Sequence, residues 1–216
     1  MKALIYKDLF LLKRKGILFS MLVDIFICIP VGLIFHNIYA AALILCLTYP
    51  VGATGFMAQI MEMDEKCDFD KVAISLPLTK SEIVLSKWIS SFLYLGIYLV
   101  VGLIFGLVHN SIYQYTSFSM IMLLWFVGVL IGFIMLSINA VGFFLFGAKK
   151  GTYMYLVIVI VVLSIIGYLG IYFGIDMNIF IELKVPTLLF IGSVITFIIC
   201  FINYTITLKL YIRKYS

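Results

Sequence analysis

Long apolar runs are the feature that most constrains the fold of this 216-residue chain. A helix of about 20 apolar residues crosses the hydrocarbon core of a bilayer, which is about 30 Å thick. Only 12% of the residues are charged, whereas an ordinary soluble domain has about 25%. The sequence therefore predicts an all-α integral membrane protein with a single transmembrane domain over residues 1–216 and no soluble module.

The apolar runs predict six transmembrane helices joined by short polar segments. Pro30 and Pro50 lie inside the first two and are expected to kink them, because proline has no amide hydrogen to donate. A polar turn at 36–39 joins these two spans, a polar loop at 109–117 follows the third, and a basic turn at 147–151 follows the fourth. The predicted spans are about 17–35, 40–61, 83–108, 118–146, 152–174 and 187–208.

The basic residues lie almost entirely on one side of the predicted helices, as they do in cytoplasmic loops. With six spans and both termini on that side, it holds fourteen of the fifteen Lys and Arg residues, and only Lys184 lies opposite. This distribution predicts cytoplasmic termini and accounts for the net charge of +5 without a nucleic-acid partner. Residues 2–15 are predicted to form an elbow helix at the membrane interface, with Ile5, Leu9 and Leu12 on one face.

A polar segment between the second and third spans, residues 62–87, holds six of the ten acidic residues. The orientation places this segment in the cytosol. Pro77 cannot continue a preceding helix, and Thr79 and Glu82 have the T-x-x-E spacing of a capping box. The third helix is therefore expected to begin near Lys80, after a short helix within 62–74 that lies along the membrane. The segment is either a solvated hairpin or a docking element for a soluble partner, and its own residues do not decide between these interpretations.

Three polar side chains inside the apolar runs are candidates for a substrate pathway. Asp24 is the one carboxylate placed well inside a run, so it must face protein or water rather than lipid. It either lines a pathway or is hydrogen-bonded to a neighbouring helix. Asn139 and Asn203 are also pathway candidates, although interhelical hydrogen bonds are the more frequent role of such residues. A single intramembrane carboxylate and the lack of a convincing inverted repeat argue against a secondary transporter.

The sequence lacks the motifs of an enzyme. It contains no G-x-x-x-x-G-K-[ST] loop for ATP phosphates and no hydrolase constellation, and its four cysteines are too scattered for a zinc site. This chain is therefore expected to bind no cofactor, and any ATP-driven step needs a separate ATPase. Close helix packing is predicted at three GxxxG faces, which lie at 102–106, 128–132 and 170–174.

The polar segment and the N-terminus resemble those of the permease subunits of ABC-2 type transporters. The resemblance lies in residues 63–66 (MDEK), 75–84 (SLPLTKSEIV), 87–88 (KW) and 1–9 (MKALIYKDL). The most similar sub-group is the small permeases of the bacterial phenol-soluble modulin exporter. The resemblance implies an export channel in the bacterial cytoplasmic membrane, formed with an identical or related permease. A partner ABC ATPase would bind ATP and Mg²⁺, and the cargo would be an amphipathic, membrane-active peptide.

The resemblance also implies that the polar segment is the coupling helix, seated in a cleft of the ATPase. The residues that it assigns to ATPase coupling are Glu62, Asp64, Glu65, Lys66, Asp68, Phe69, Asp70, Leu76, Pro77, Leu78, Thr79, Lys80 and Glu82. Sister permeases serve bacteriocin and antibiotic defence. The alternatives are therefore an immunity permease and a membrane sensor or immunity subunit that transports nothing.

Overall fold

The structure, a computed structural model, describes residues 1–10, 15–173 and 185–214, apart from the side chains of some helical residues such as Asp24 and Asp70. These ranges are helical throughout, apart from short connections, and contain no strand, so the all-α prediction is confirmed. The helices are α1 (Lys2–Phe10), α2 (Lys15–Ile34), α3 (Ile38–Leu43), a π-helical turn (Ile44–Thr48), α4 (Tyr49–Lys66), α5 (Phe69–Ser75), α6 (Lys80–Tyr113), α7 (118–146) and α8 (148–173) as the two halves of Phe118–Phe173, and α9 (Val185–Lys214).

Four helical stretches within the described ranges are long and apolar enough to cross a membrane. They are Ile38–Lys66, Lys80–Tyr113, Phe118–Val161 and Pro186–Lys214. The chain is therefore a multi-pass membrane protein. The count of six crossings and the cytoplasmic position of both termini stay predictions.

The second predicted span is one continuous helical stretch with a widened turn. Its start is capped by Asn37, whose side chain accepts a hydrogen bond of 2.9 Å from the amide of Ala40. The π-helical turn Ile44–Thr48 lies directly before Tyr49 and Pro50. A π turn there is consistent with the missing amide hydrogen of Pro50, which removes the regular hydrogen bond to the preceding turn. The stretch ends at Lys66, so residues 62–66 are the last turn of α4 and not part of a separate helix.

The helix α6 is longer than the sequence analysis predicts. It continues to Tyr113, and Gln114 ends it in the left-handed conformation with φ 49°. The predicted loop at 109–117 is therefore wrong over its first five residues. Asn110 explains the difference, because its side chain accepts from the amide of Thr116 at 3.2 Å and donates to the Thr116 carbonyl at 3.0 Å. The polar residues after Val108 are thus satisfied without ending the helix.

The predicted basic turn at 147–151 is also shorter than expected. Only Gly147 leaves the helical conformation, with φ 78° and ψ 177°, and α8 begins immediately after it. Lys149 and Lys150 are exposed on the first turn of α8. A single residue in this backbone region, which glycine adopts without a steric penalty, is enough to separate α7 from α8.

The helix α1 packs on α6 through a face that the sequence analysis does not describe. Leu4 and Asp8 are buried, whereas Ile5 and Leu9 are half-buried, and Leu12 lies outside the described residues. The sequence analysis predicts the apolar stripe of an interfacial helix and names no face that packs on another helix. The buried face of α1 also includes a carboxylate, because Lys7 of the same helix and Ser90 of α6 supply partners for it.

The core lies between α4, α6 and α7. Its largest fully buried side chains include Tyr49 and Phe56 of α4, Leu95 and Tyr98 of α6, and Leu136 of α7. The first two GxxxG faces lie within this packing and so serve contacts inside the chain. A Cβ atom at Gly102 would lie 2.9 Å from the Tyr49 ring, and one at Gly128 would lie 2.2 Å from the Leu45 carbonyl oxygen. The third face begins at Gly170, whose surroundings lie outside the described residues.

Candidate coupling surface and its buried charge cluster

The short helix α5 forms the centre of the predicted coupling segment. Asp68 begins it in the left-handed conformation with φ 49°, and Leu76 ends it in an extended conformation. Ala73 is fully buried against a core that contains Trp88, and Phe69 packs against the same core. The segment is therefore anchored to the start of α6 and is not a free hairpin.

Three neighbouring exposed side chains of this segment are apolar. Val72 is 52% exposed and Leu76 is 40% exposed, and Pro77 is exposed beside them. Val72 and Leu76 lie four positions apart, so they occupy one side of the helix and its end. We call Val72, Leu76 and Pro77 the apolar face. Contiguous exposed apolar surface is a feature of sites that bind a protein or a membrane.

The capping box at the start of α6 is confirmed. The Thr79 hydroxyl oxygen accepts from the amide of Glu82 at 3.2 Å, and the Thr79 amide donates to the Glu82 carboxylate at 2.9 Å. The two residues satisfy each other's unpaired groups and fix where the helix begins. They hold the apolar face directly before a rigid helix of 34 residues.

Asp64 is the centre of a buried charge cluster that the sequence analysis does not predict. Its two carboxylate oxygens lie 2.7 Å from Lys7 Nζ of α1 and 2.9 Å from Lys87 Nζ of α6. Lys7 Nζ also lies 3.0 Å from a carboxylate oxygen of Asp8, and the Ser90 hydroxyl donates to the other at 3.3 Å. We call Lys7, Asp8, Asp64, Lys87 and Ser90 the charge cluster.

The charge cluster is closed to solvent on most sides. The side chains of Asp8, Asp64 and Lys87 are 1%, 6% and 3% exposed, and only that of Lys7 reaches 31%. Two ammonium groups balance two carboxylates, as buried charges require. Burial raises the pKa of the Asp8 carboxyl above its usual value of 3.8, and the adjacent Lys7 ammonium opposes that shift.

The charge cluster extends to α5 through an aromatic ring. Lys7 Nζ lies 3.6 Å from the centre of the Phe69 ring, which is within the range of a cation–π interaction. Lys7 therefore contacts α4 through Asp64 and α5 through Phe69. The elbow helix, the end of α4, the coupling segment and the start of α6 meet at one point.

A second polar link joins the end of α4 to the start of α8. Glu65 accepts a hydrogen bond of 2.8 Å from the amide of Ala148, so its carboxylate lies at the positive end of the α8 dipole. A Cβ atom at Gly147 would lie 2.6 Å from the Glu65 carboxylate, which is one more reason for glycine at that position. An open pocket of about 470 Å³ lies beside this link, with Glu62, Lys66, Lys149 and Tyr153 among its lining residues.

The structure separates the predicted coupling residues into three groups. Those exposed are Glu62, Glu65, Lys66, Asp68, Leu76, Pro77 and Thr79, and those half-buried are Phe69, Leu78, Lys80 and Glu82. Asp64 is buried in the charge cluster, and the side chain of Asp70 lies outside the described residues. Asp64 and Glu65, which look alike in the sequence, therefore make internal contacts that do not require a partner.

The candidate pathway residues lie apart from this surface. Asn203 of α9 donates to the Ser137 hydroxyl of α7 at 3.0 Å, which is the interhelical contact expected for such a residue. Asn139 is 4% exposed, and no hydrogen-bond partner of its side-chain nitrogen lies within the described part of the chain. The side chain of Asp24 lies outside that part, so its two interpretations stay open.

The sequence signal for the charge cluster was present but weak. Lys87 follows Ile83 by four positions and Val84 by three, and all three are buried on one side of α6. Asp8 follows Leu4 by four positions and shares its buried face. A charged residue in register with an apolar stripe is the pattern that predicts a buried ion pair, although it does not identify the partner.

This architecture defines the class of the protein. It is an all-helical, multi-pass membrane protein with a folded polar segment beside its elbow helix. A family model described as ABC-2 family transporter protein matches residues 3–212. The chain therefore belongs to the ABC-2 transporter family, whose members are the membrane subunits of ABC transporters. No curated protein and no solved structure matches the chain.

Proposed function

We propose that this chain is the permease subunit of an ATP-driven ABC exporter and that the apolar face is its contact with the ATPase. Two permeases, identical or related, would pair with two ATPase subunits, which bind ATP and Mg²⁺. The complex would reside in the bacterial cytoplasmic membrane and export amphipathic, membrane-active peptides. Membership in the ABC-2 family supports the transport role, and the resemblance of the polar segment to modulin-exporter permeases supports the cargo.

The observation that carries the coupling proposal is the attachment of α5. Its outer side exposes Val72 and Leu76, whereas Ala73 is fully buried on its inner side. Through Phe69 and Lys7, the segment also touches the charge cluster. A displacement of the apolar face would therefore be transmitted to α1, α4 and α6 through packed and ion-paired side chains and not through a flexible loop.

The docking role is tested by removing apolar surface without adding charge. The Val72→Ala/Leu76→Ala variant should raise the dissociation constant for the ATPase by about tenfold or more, because each apolar carbon that it removes contributes about 0.8 kcal/mol when an interface buries it. Cys67→Ala is the matched control, because Cys67 is exposed in the same segment and receives the same small side chain. Binding is measured by titrating ABC ATPase subunits from the same genome onto the full chain in lipid nanodiscs.

Two results would contradict this docking proposal. One is unchanged ATPase binding by the double variant, and the other is an equal loss in the Cys67→Ala control. Charge reversal at Asp64 or Glu65 would be a less informative test. Those residues bind Lys7, Lys87 and the start of α8, so their loss would disturb the fold as well as the surface.

The cargo proposal has a separate test in the assembled complex. ATP hydrolysis by the permease–ATPase complex in nanodiscs should rise several-fold with an amphipathic helical peptide and stay unchanged with a scrambled peptide of the same composition. If only bacteriocins raise the rate of ATP hydrolysis, the chain is assigned to the immunity permeases. A chain that binds no ABC ATPase would instead be assigned to the non-transporting sensor or immunity class.

A further inference from the structure

An open groove lies between the end of α4 and the start of α8. Its volume is about 470 Å³, and pockets of about 300–1,000 Å³ are usual for small ligands. We call it the α4–α8 groove. Its lining residues are Ala58, Glu62, Glu65 and Lys66 of α4 and Ala148, Lys149, Thr152 and Tyr153 of α8. It is therefore separate from both the apolar face and the charge cluster.

The α4–α8 groove contains positive and negative charges in equal number. Glu62 and Glu65 contribute two carboxylates, and Lys66 and Lys149 contribute two ammonium groups. Glu62 and Lys66 form an exposed pair at 2.6 Å. Lys149 is exposed, and within the described part of the chain it forms no salt bridge. A ligand that matches this lining carries both an anionic and a cationic group.

The α4–α8 groove lies where a membrane-spanning stretch ends. The apolar stretch Ile38–Lys66 ends at a residue of the lining. Tyr153, another lining residue, is 69% exposed. Tyrosine and lysine side chains at the end of a membrane span lie at the level of the lipid headgroups. The groove is therefore open at the depth where phospholipid headgroups are the most abundant ligands.

Apolar surface continues from the α4–α8 groove along α8. Val157 and Ile160 follow Tyr153 by four and seven positions, so the three side chains lie on one side of the helix. Val157 is 59% exposed and Ile160 is 61% exposed. On α4, Gly55 precedes Ala58 by three positions, and a Cβ atom there would meet nothing within 4 Å. An acyl chain therefore has apolar surface to lie on directly beside a polar site for its headgroup.

We propose that the α4–α8 groove binds one phospholipid whose headgroup carries both a phosphate and a primary ammonium group, as in phosphatidylethanolamine. Lys66 and Lys149 donate to the phosphate, and Glu62 accepts from the ammonium group. A carboxylate accepts several hydrogen bonds, so Glu62 also keeps its pair with Lys66. Glu65 remains bound to the amide of Ala148. This inference is independent of the ATPase and of the cargo.

The charge balance of the groove predicts which headgroups bind less well. Phosphatidylglycerol has a phosphate and no cation, so its anion would meet two carboxylates without compensation. The cation of phosphatidylcholine has no N–H group, so it cannot donate a hydrogen bond to Glu62. We therefore expect phosphatidylethanolamine to bind about tenfold more tightly than either lipid, because hydrogen bonds between charged groups are stronger than neutral ones.

Native mass spectrometry of the full chain tests the proposal. The delipidated protein in detergent is titrated with the three phospholipids, all with identical acyl chains, and the bound lipid is counted at each concentration. One molecule of phosphatidylethanolamine should bind saturably, with the other two lipids about tenfold weaker. Soluble glycerophosphoethanolamine should not compete at the same concentrations, because it has no acyl chain to lie on α8. Equal binding of the three lipids, or competition by the soluble headgroup, would overturn the proposal.

Three variants assign the charged groups of the groove. Lys149→Gln should weaken the binding of all three lipids about tenfold, because the phosphate loses a charged donor. Glu62→Gln should weaken only phosphatidylethanolamine and bring its affinity to that of phosphatidylcholine. Lys150→Gln is the matched control, because Lys150 is exposed on the same turn of α8 but does not line the groove, and it should bind lipid as the wild type does.

The variants also define how the proposal fails. It fails if Lys149→Gln binds phosphatidylethanolamine normally, or if Glu62→Gln keeps the preference over phosphatidylcholine. An equal loss in Lys150→Gln would show a general attraction of the basic surface and would also overturn the proposal. All three substituted side chains are exposed, so the variants are expected to fold. The readout requires neither ATPase nor cargo, so its failure is distinct from a failure of the proposed transport function.

Discussion

Asp64 shows how strongly the surroundings of a residue decide its role. In the sequence it is one of several acidic residues in a polar segment, but its carboxylate lies between two ammonium groups and is 6% exposed. Glu62, two positions earlier, forms an exposed pair with Lys66 at 2.6 Å. Buried pairs and exposed pairs differ in their effect on stability, because removing one partner of a buried pair leaves a charge without solvent.

Asp64→Asn should therefore lower the free energy of unfolding by about 3–5 kcal/mol, which corresponds to a Tm decrease of roughly 10 °C. The matched control Glu62→Gln should change it by less than about 1 kcal/mol. The Asp64→Asn/Lys87→Met variant should recover part of the loss, because Lys87 is then no longer a buried charge without a partner. Thermal unfolding in one detergent measures these three variants and the single Lys87→Met variant. Strict additivity of Asp64→Asn and Lys87→Met in the double variant would contradict the ion pair.

At the scale of elements, the π-helical turn packs closely against α7 because Gly128 has no side chain. A Cβ atom at Gly128 would lie 2.2 Å from the carbonyl oxygen of Leu45, which is a backbone atom in the π-helical turn. By contrast, a Cβ atom at Gly132 would meet the flexible end of Leu95 at 3.0 Å. The widened turn before Pro50 therefore packs directly on the backbone of α7, and this contact sets the distance between the two elements.

Gly128→Ala should lower the free energy of unfolding by about 1–3 kcal/mol, because the added methyl group cannot be accommodated without moving backbone. Gly96→Ala is the matched control, since a Cβ atom there meets nothing within 4 Å. That control should be neutral or stabilising by up to about 1 kcal/mol, because alanine favours the helix. Thermal unfolding of the two variants in the same detergent checks the difference, and equal Tm values would argue against this packing.

A structural feature could be predicted from the sequence where the residues that determine it lie close together in the chain. The start of α6 was predictable because Thr79 and Glu82 are three positions apart and satisfy each other. The partners of Asp64 were not, because Lys7 lies 57 positions away and only the fold brings the two together. The end of α6 was missed for a local reason, since the side chain of Asn110 supplies the hydrogen bonds that a loop was expected to need.

At the scale of the whole molecule, the described contacts connect the segment that carries the apolar face to several helices. The ring of Phe69 lies under Lys7, Lys7 binds Asp64, and Asp64 binds Lys87. The helix α1 therefore contacts both the segment that carries the apolar face and, through Asp64, the end of α4. This arrangement distinguishes binding of the ATPase from transmission of its motion, because different residues serve each step.

Lys7→Gln should separate these two steps in the proposed complex. The variant keeps the apolar face of Val72 and Leu76, so ATPase binding should stay within about twofold of wild type, since energetically neutral changes outside the central anchors are common. Peptide-stimulated ATP hydrolysis should fall several-fold, because α1 loses its contacts with Asp64 and Phe69. Lys2→Gln is the matched control, an exposed lysine on the same helix, and should behave as wild type. Normal stimulation of the Lys7→Gln complex would show that the motion does not pass through α1. If the complex no longer forms, Lys7 is needed for docking or for folding. The Tm of the variant permease distinguishes these two roles, because only a folding role lowers it.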